Sequence, residues 1–309
     1  MTEPLNIKPD LSVEMAGVKF KNPVMTASGT FGSGKEYGEY VDLNQLGAVV
    51  VKGVSLTPWK GNPTPRVAET YGGMLNAVGL QNPGVDAFIE NDLPFLRQYD
   101  TRVIVNVSGK SIEEYCCVVE KLADTKVDML ELNISCPNIK EGGITFGTNT
   151  EMAASVVKEV KKIARQPLVV KLSPNVTDIT EIAKAVESEG ADAISLINTL
   201  LGMAIDINHK KPLLGNVMGG LSGPAIKPIA LRMVYQVCRT VNIPVIGMGG
   251  IISGEDAAEF ILAGATGVAV GTANFMNPCA TIEILDGLES YMISQGFSSI
   301  DEVQQAMKI

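Results

Sequence analysis

Residues 167–199 read PLVVKLSPNVTDITEIAKAVESEGADAISLINT. The stretch opens on a short apolar, β-branched run, Pro167–Ser173, passes through a helix-like segment, Asp178–Glu189, and closes on a second such run, Ala193–Thr199. Runs this short and nearly continuous are the pattern of strands buried on both faces. Two of them joined by a helix make one β–α–β unit, and the rest of the chain repeats it. Before it lie Pro23–Ser28, Ala48–Gly53, Arg102–Gly109 and Met129–Ser135; after it come Ile243–Gly250 and Gly267–Asn274. Helical patterns fall between most of these runs, at Ser111–Ala123, Asn149–Ala164, Lys227–Thr240 and Gly254–Ala263. Ser253, followed by Gly254-Glu255-Asp256, is placed as an N-cap with acidic residues in the first turn. The eight alternating units predict an α/β chain folded as a (β/α)8 TIM barrel, with a doubly wound open sheet as the alternative.

Two segments stand outside the repeat. Leu11–Asn22 alternates weakly around Ala16-Gly17 and predicts an N-terminal hairpin that plugs the bottom of the barrel. Leu200–Pro224, rich in Gly, Lys and Pro, predicts a top-face insertion after strand six. No linker interrupts the pattern, so residues 1–309 are expected to form a single barrel domain. The 46% hydrophobic content supplies a large core, and the 31 glycines and 16 prolines are spread as turns rather than gathered in a disordered tract.

Charge and composition exclude several classes. A net charge of −9 and a pI near 4.8 argue against nucleic-acid binding. Met1–Asp10 lacks the pattern of a signal peptide or of an amphipathic membrane helix, and no apolar run reaches the roughly 18 residues of a span. Five cysteines, an odd number without a metal-like CxxC, predict reduced thiols in a cytoplasm. A single histidine, His209, in a Lys-rich stretch removes a multi-histidine metal site, and no metal is expected.

In such barrels the chemistry sits at the C-terminal ends of the strands. The polar residues there are Ser28, Lys52-Gly53, Asn106, Asn133, Lys171 and Asn198-Thr199, with Gly249-Gly250 and Gly271-Thr272 ending the last two strands. Either lysine alone has a lesser reading as a side chain snorkelling from a strand end. Lys52 and Lys171 together, with two asparagines at matching depth, favour a bound anion or an electron-rich ligand. Gly249-Gly250, Gly271 and the Gly219-Gly220-Leu221-Ser222-Gly223 cluster precede helices, where bare N–H groups seat phosphate. Gly247-Met248-Gly249-Gly250-Ile251-Ile252 ends on Ile252 and is not a dinucleotide fingerprint, so a mononucleotide phosphate fits better than NAD. Cys136, in Asn133-Ile134-Ser135-Cys136-Pro137-Asn138, places a thiol on a loop over the rim. A free cysteine is usually a small buried hydrophobe, a reading that suits Cys116, Cys117, Cys238 and Cys279 better than Cys136. A thiol, with a reference pKa of about 8.5, can serve as a base when tuned.

That loop, together with Asn76-Ala77-Val78-Gly79-Leu80-Gln81-Asn82-Pro83-Gly84, Gly247-Met248-Gly249-Gly250 and Gly271-Thr272-Ala273-Asn274, resembles dihydroorotate dehydrogenase, with the motifs in order along essentially the whole chain. Cys136 resembles the soluble class 1 enzymes; the membrane-bound class 2 has serine there. Leu80-Gln81-Asn82-Pro83-Gly84 and Ala27-Ser28-Gly29-Thr30-Phe31-Gly32 resemble class 1B, a catalytic subunit that works with an iron–sulfur, FAD-containing partner and passes electrons to NAD. The resemblance implies oxidation of dihydroorotate to orotate in pyrimidine biosynthesis. Cys136 would remove the C5 proton, and a hydride would pass from C6 to N5 of FMN. Lys171 would stabilise the reduced flavin, and Lys52 would touch both flavin and substrate. Ser28, Gly53, Asn106, Asn133, Ile197, Gly223, Gly249, Gly250, Gly271 and Thr272 would line FMN; Asn76, Ala77, Val78, Gly79, Leu80, Asn133, Asn198 and Thr199 would hold orotate.

The chain carries no cysteine array for an iron–sulfur cluster and no dinucleotide motif. Electrons must therefore leave it, either to the FAD of a partner through its 2Fe-2S cluster or, as in class 1A, to fumarate. The resemblance also implies a homodimer of this chain within a heterotetramer. Two other readings compete: a non-redox barrel lyase with Lys171 as Schiff base, and a barrel that only binds ligand or scaffolds a partner.

Overall fold

The computed structural model describes residues 8–135 and 143–308. Eight parallel strands close into a barrel: β1 (Val24–Thr26), β2 (Ala48–Val50), β3 (Arg102–Val107), β4 (Met129–Asn133), β5 (Leu168–Lys171), β6 (Ala193–Leu196), β7 (Val245–Met248) and β8 (Gly267–Val270). Each pairs with the next in sequence, and β8 closes on β1 through Val268↔Val24 and Ala269↔Met25. Closure decides against the open doubly wound sheet.

The strands end up to four residues before the apolar runs do. Ala48–Gly53 narrows to Ala48–Val50 and Ala193–Thr199 to Ala193–Leu196. Val51 and Ile197 remain buried, so the apolar pattern runs on past the ladder into the rim. Three helices start one residue inside their expected bounds because the first polar residue acts as the cap. Ser111 accepts from Glu114 N–H before Ile112–Leu122, Asn149 from Met152 N–H before Thr150–Lys161, and Asp178 from Thr180 N–H before Ile179–Ser188. Ser253 and Asp256 cap each other's backbone at the start of Gly254–Leu262, a full capping box. Between β1 and β2 the described connection holds only the 3-10 turns Tyr37–Glu39 and Leu43–Gln45.

The hairpin expected at the N-terminus pairs Val13–Met15 with Val18–Phe20 through a turn with positive φ at Ala16 and Gly17. Met15 and Phe20 are buried, and a side chain on Gly267, the first residue of β8, would meet the Met15 methyl at 3.4 Å. The hairpin thus packs where the barrel strands begin. At the other end, the insertion after β6 forms Leu200–Met203, Met218–Ser222 and the short pair Ile205–Asp206 with Lys211–Pro212. The segment after β2 supplies a second hairpin, Val67–Thr70 with Gly73–Asn76, which the sequence reading did not separate from the loop around it. The two excursions join into one antiparallel sheet, because Gly73–Asn76 pairs with Met218–Ser222. A small cluster of Leu75, Ala77 and Leu214 packs against it, apart from the main core of barrel and helices. Among the described residues no helix is long and apolar enough to cross a membrane.

Candidate active site

The strand ends open on a cavity of about 180 Å³. The top sheet covers it through Val67, Met74 and Asn76, and the Val78-Gly79-Leu80 loop closes one side. That loop is held by Asn82, whose Oδ1 accepts from Ser55 N–H (3.1 Å), Ser55 Oγ (3.0 Å) and Gly84 N–H (2.9 Å) while Nδ2 donates to Leu80 O (2.8 Å). Asn82 is buried and reads in sequence as one more polar loop residue; its hydrogen bonds to Ser55, Gly84 and Leu80 give it its role.

Lys171 ends β5 and is only 4% exposed, yet no carboxylate lies within ion-pair distance of it among the described residues. Its Nζ donates to Ser28 Oγ at 3.3 Å, just beyond β1. A buried ammonium with a neutral partner calls for an anionic or electron-rich ligand in the cavity it lines. Lys52, next to Gly53 beyond β2, is half-buried on the same wall.

The asparagines form one chain of amides across β3, β4 and the rim after β6. Asn133 Nδ2 donates to Asn106 Oδ1 (3.2 Å), and Ser135 Oγ donates to Asn133 Oδ1 (3.2 Å). Asn198 Nδ2 donates to Ser135 Oγ (2.8 Å), and Asn175 Nδ2 to Thr199 O (3.0 Å). Asn106 Nδ2 in turn donates to Glu131 at 2.6 Å, a buried carboxylate the sequence reading passed over. A lone Glu in the run Met129–Asn133 was the available signal. Gly53 lets this chain approach the backbone: a Cβ there would stand 2.7 Å from Asn106 Oδ1 and 2.8 Å from Ser108 Oγ.

Gly223, Gly249 and Gly250 all have positive φ and stand together, since a Cβ on Gly250 would lie 2.9 Å from Gly223 O and 2.8 Å from Lys227 Cβ. Their bare backbone, with Gly271 and Thr272, forms the cavity end suited to phosphate. Thr272 Oγ1 donates to Ser222 Oγ at 2.8 Å, which adds a hydroxyl that sequence reasoning missed. Behind this loop Lys227 Nζ reaches Asp256 (2.5 Å) and Glu259 (3.0 Å). The hydrogen bond to Asp256 holds the Lys227 ammonium above its ordinary pKa. Burial pushes Asp256 up, but Lys227 and the N–H groups of Ile252 and Ser253 outweigh it and leave the carboxyl below its ordinary value.

Of the residues expected at the site, Ser28, Lys52, Gly53, Asn76, Val78, Gly79, Leu80, Asn106, Asn133, Lys171, Ile197, Asn198, Thr199, Gly223, Gly249, Gly250, Gly271 and Thr272 line this one cavity. Ala77 does not; it is fully buried in the cluster with Leu75 and Leu214. Cys136 lies outside the described residues. The cavity also takes in Met74, Ile226, Met248, Ile251 and Phe275, apolar walls with no polar signature for sequence reasoning to find. Among the remaining thiols, Cys117 departs from the expectation of burial and is exposed on the outer face of its helix, whereas burial pushes Cys238 up to about 12. His209 is an exposed residue beside Asp206 in the tip of the insertion. No group of His, Cys, Asp or Glu suited to a metal occurs among the described residues.

Residues 10–292 match the family model described as dihydroorotate dehydrogenase. Three curated relatives are each named dihydroorotate dehydrogenase B (NAD(+)), catalytic subunit. That of Alkaliphilus metalliredigens is 68% identical, covering 97% of this chain and 99% of its own. Those of Alkaliphilus oremlandii and Thermoanaerobacter pseudethanolicus are 69% and 59% identical, covering 95% and 97% of this chain and 97% and 99% of theirs. A crystal structure of DHODH from Eimeria tenella in complex with ferulenol superposes with a TM-score of 0.81 at 22% identity, covering 98% of this chain and 90% of that one, a likeness of fold.

Proposed function

Because the chain belongs to the dihydroorotate dehydrogenase family, we propose that its rim cavity oxidises dihydroorotate to orotate over a bound FMN as the catalytic subunit of an NAD-linked enzyme. The observation that carries this reading is Lys171, a buried cation without a carboxylate partner among the described residues, in the same cavity as the rim asparagines and the glycine cluster. The residues present suit FMN. The glycines at 223, 249, 250 and 271 with Thr272 would hold its phosphate, and Ser28, Lys52, Gly53, Asn106, Asn133 and Ile197 would line its ring. When bound, FMN supplies the acceptor for the hydride that leaves C6 of dihydroorotate.

The chain's own residues prepare that transfer. Lys171 would favour the electron-rich form of whatever lies against it, because its charge is already desolvated and fixed. Asn76, Val78, Gly79, Leu80, Asn133, Asn198 and Thr199 would orient the substrate, with the amide chain limiting which way each carboxamide can turn. Cys136 would receive the C5 proton. The top sheet and its loop would exclude water from the cavity they cover.

The relatives' name, which specifies NAD(+) and a catalytic subunit, favours a separate partner carrying FAD and a 2Fe-2S cluster over fumarate as acceptor. We infer a single catalytic domain acting in the cytoplasm, in keeping with the unpaired thiols among the described residues. A second copy of the chain would cover the top sheet, where Leu201, Met203 and Met218 are exposed on adjacent paired strands. The test is anaerobic mixing of the purified yellow protein with dihydroorotate. Bleaching of the flavin is expected, with turnover on NAD only when the partner is added. A colourless protein that FMN cannot restore, or a flavin that dihydroorotate leaves oxidised, would overturn the reading.

A further inference from the structure

Glu131 lies within β4 and is 2% exposed, and the proposed reaction has no use for it. Both its oxygens accept: Oε2 from Asn106 Nδ2 at 2.6 Å and Oε1 from Ser195 Oγ at 2.7 Å. No cation stands within ion-pair distance among the described residues. A carboxylate buried on neutral donors alone is costly. Its presence there has a consequence for Asn106. A carboxylate can only accept, so it draws the NH2 end of the Asn106 amide toward itself. The carbonyl end is thereby turned to Asn133 Nδ2, at 3.2 Å, and to the cavity that Asn106 lines. A flipped amide would set two acceptors against each other at 2.6 Å and two NH2 groups against each other on the far side.

We infer that Glu131 is a positioning residue that locks Asn106 with its carbonyl oxygen toward the cavity, so that the site offers an acceptor to a ring N–H of the bound heterocycle. The inference rests on the FMN reading, since the pyrimidine part of a flavin carries such an N–H. Donor–acceptor polarity at this point would then be set one residue behind the wall rather than at the wall itself.

Three variants of the full chain and one double variant test it, each scored by FMN affinity from flavin-fluorescence quenching and by melting temperature. Glu131→Leu removes the acceptor and frees the amide; its FMN dissociation constant is expected to rise about tenfold or more, and the melting temperature to fall, because the buried Asn106 Nδ2 and Ser195 Oγ lose their acceptor. Glu131→Gln still offers a carbonyl to Asn106 and is expected to stay within about threefold of wild type. Asn106→Asp sets two carboxylates together and loses affinity; adding Glu131→Gln lets the new amide donate to the introduced carboxylate and recovers most of it. Wild-type affinity in Glu131→Leu, equal losses in Glu131→Gln and Glu131→Leu, or no recovery in the double variant would each overturn the inference. Should Glu131→Leu fail to fold, Asn106→Asp with and without Glu131→Gln decides alone. A wild-type chain that takes up no FMN would instead overturn the cofactor reading, and this inference with it.

Discussion

Replacing Lys171 by Met separates a catalytic charge from a structural one. The ammonium is 4% exposed and donates to a neutral partner, Ser28 Oγ at 3.3 Å. Two unit charges about 5 Å apart at an effective dielectric of about 20 interact by about 3 kcal/mol. Since each 1.36 kcal/mol of barrier is about tenfold in rate, loss of the charge should slow flavin reduction by roughly a hundredfold. The same change relieves a buried charge of its desolvation cost, so the melting temperature of the chain without substrate should stay level or rise. The assay is anaerobic stopped-flow bleaching of the flavin at saturating dihydroorotate, run beside a thermal melt. A Lys171→Met chain reduced at the wild-type rate would refute the electrostatic argument. So would a variant whose melting temperature falls in step with its rate, because the lysine would then be holding the rim together rather than acting on a ligand.

Other perturbations read other parts of the site. Gly53→Ala puts a methyl 2.7 Å from Asn106 Oδ1, so FMN affinity should drop at least tenfold with a lower melting temperature, both measurable in one titration and one melt. Asp256→Asn loosens the capping box and the tie to Ile252, which should cost about 1 kcal/mol and a few degrees of melting temperature at neutral pH. The Asp256 carboxyl is depressed in the fold, so its contribution is full above the ordinary value of 3.8 and is lost as pH falls through the lower folded pKa. The wild type should therefore lose more stability than Asp256→Asn across that acid window, and parallel melting curves against pH would contradict this. Cys117 is exposed while the Cys238 thiol is pushed up to about 12, so alkylation near pH 8 followed by peptide mapping should mark Cys117 early and Cys238 only after unfolding. Early labelling of Cys238 would show that its helix end opens in the native state.

The barrel was legible because it is written in local sequence. Each apolar run and each helix is a contiguous segment, and even the N-caps at Ser111, Asn149 and Ser253 lie beside the helices they start. The same logic located most of the cavity wall, since a polar residue in an apolar run, such as Asn106 or Lys171, marks itself. What escaped was set by pairing across long separations. Gly73–Asn76 and Met218–Ser222 are neighbours only because two loops from β2 and β6 meet above the barrel, and nothing in either segment announces the other. Ala77 shows the limit of a motif: it sits inside Asn76-Ala77-Val78-Gly79-Leu80, yet it lies outside the cavity lining and packs with Leu75 and Leu214 instead.

Glu131 marks a second limit, one of orientation. Its position in Met129–Asn133 is as visible in sequence as those of Asn106 and Asn133, but its importance depends on which way an amide faces. Side chains that touch a ligand are selected for chemistry that can be named from residue type. A residue behind them is selected for polarity, and polarity becomes apparent only when donors and acceptors are counted in place. Here the count runs from Glu131 through Asn106 and Asn133 to Ser135 and Asn198, each group fixing the next. A substitution at the buried end of that chain should therefore be felt at the substrate end. Glu131→Leu should weaken orotate as well as FMN, whereas a change confined to the phosphate seat, such as Thr272→Val, should weaken FMN and leave orotate affinity of the flavin-loaded chain unchanged. Equal losses of orotate affinity in both variants would mean that the amides act separately and that the hydrogen bonds joining them carry no orienting information.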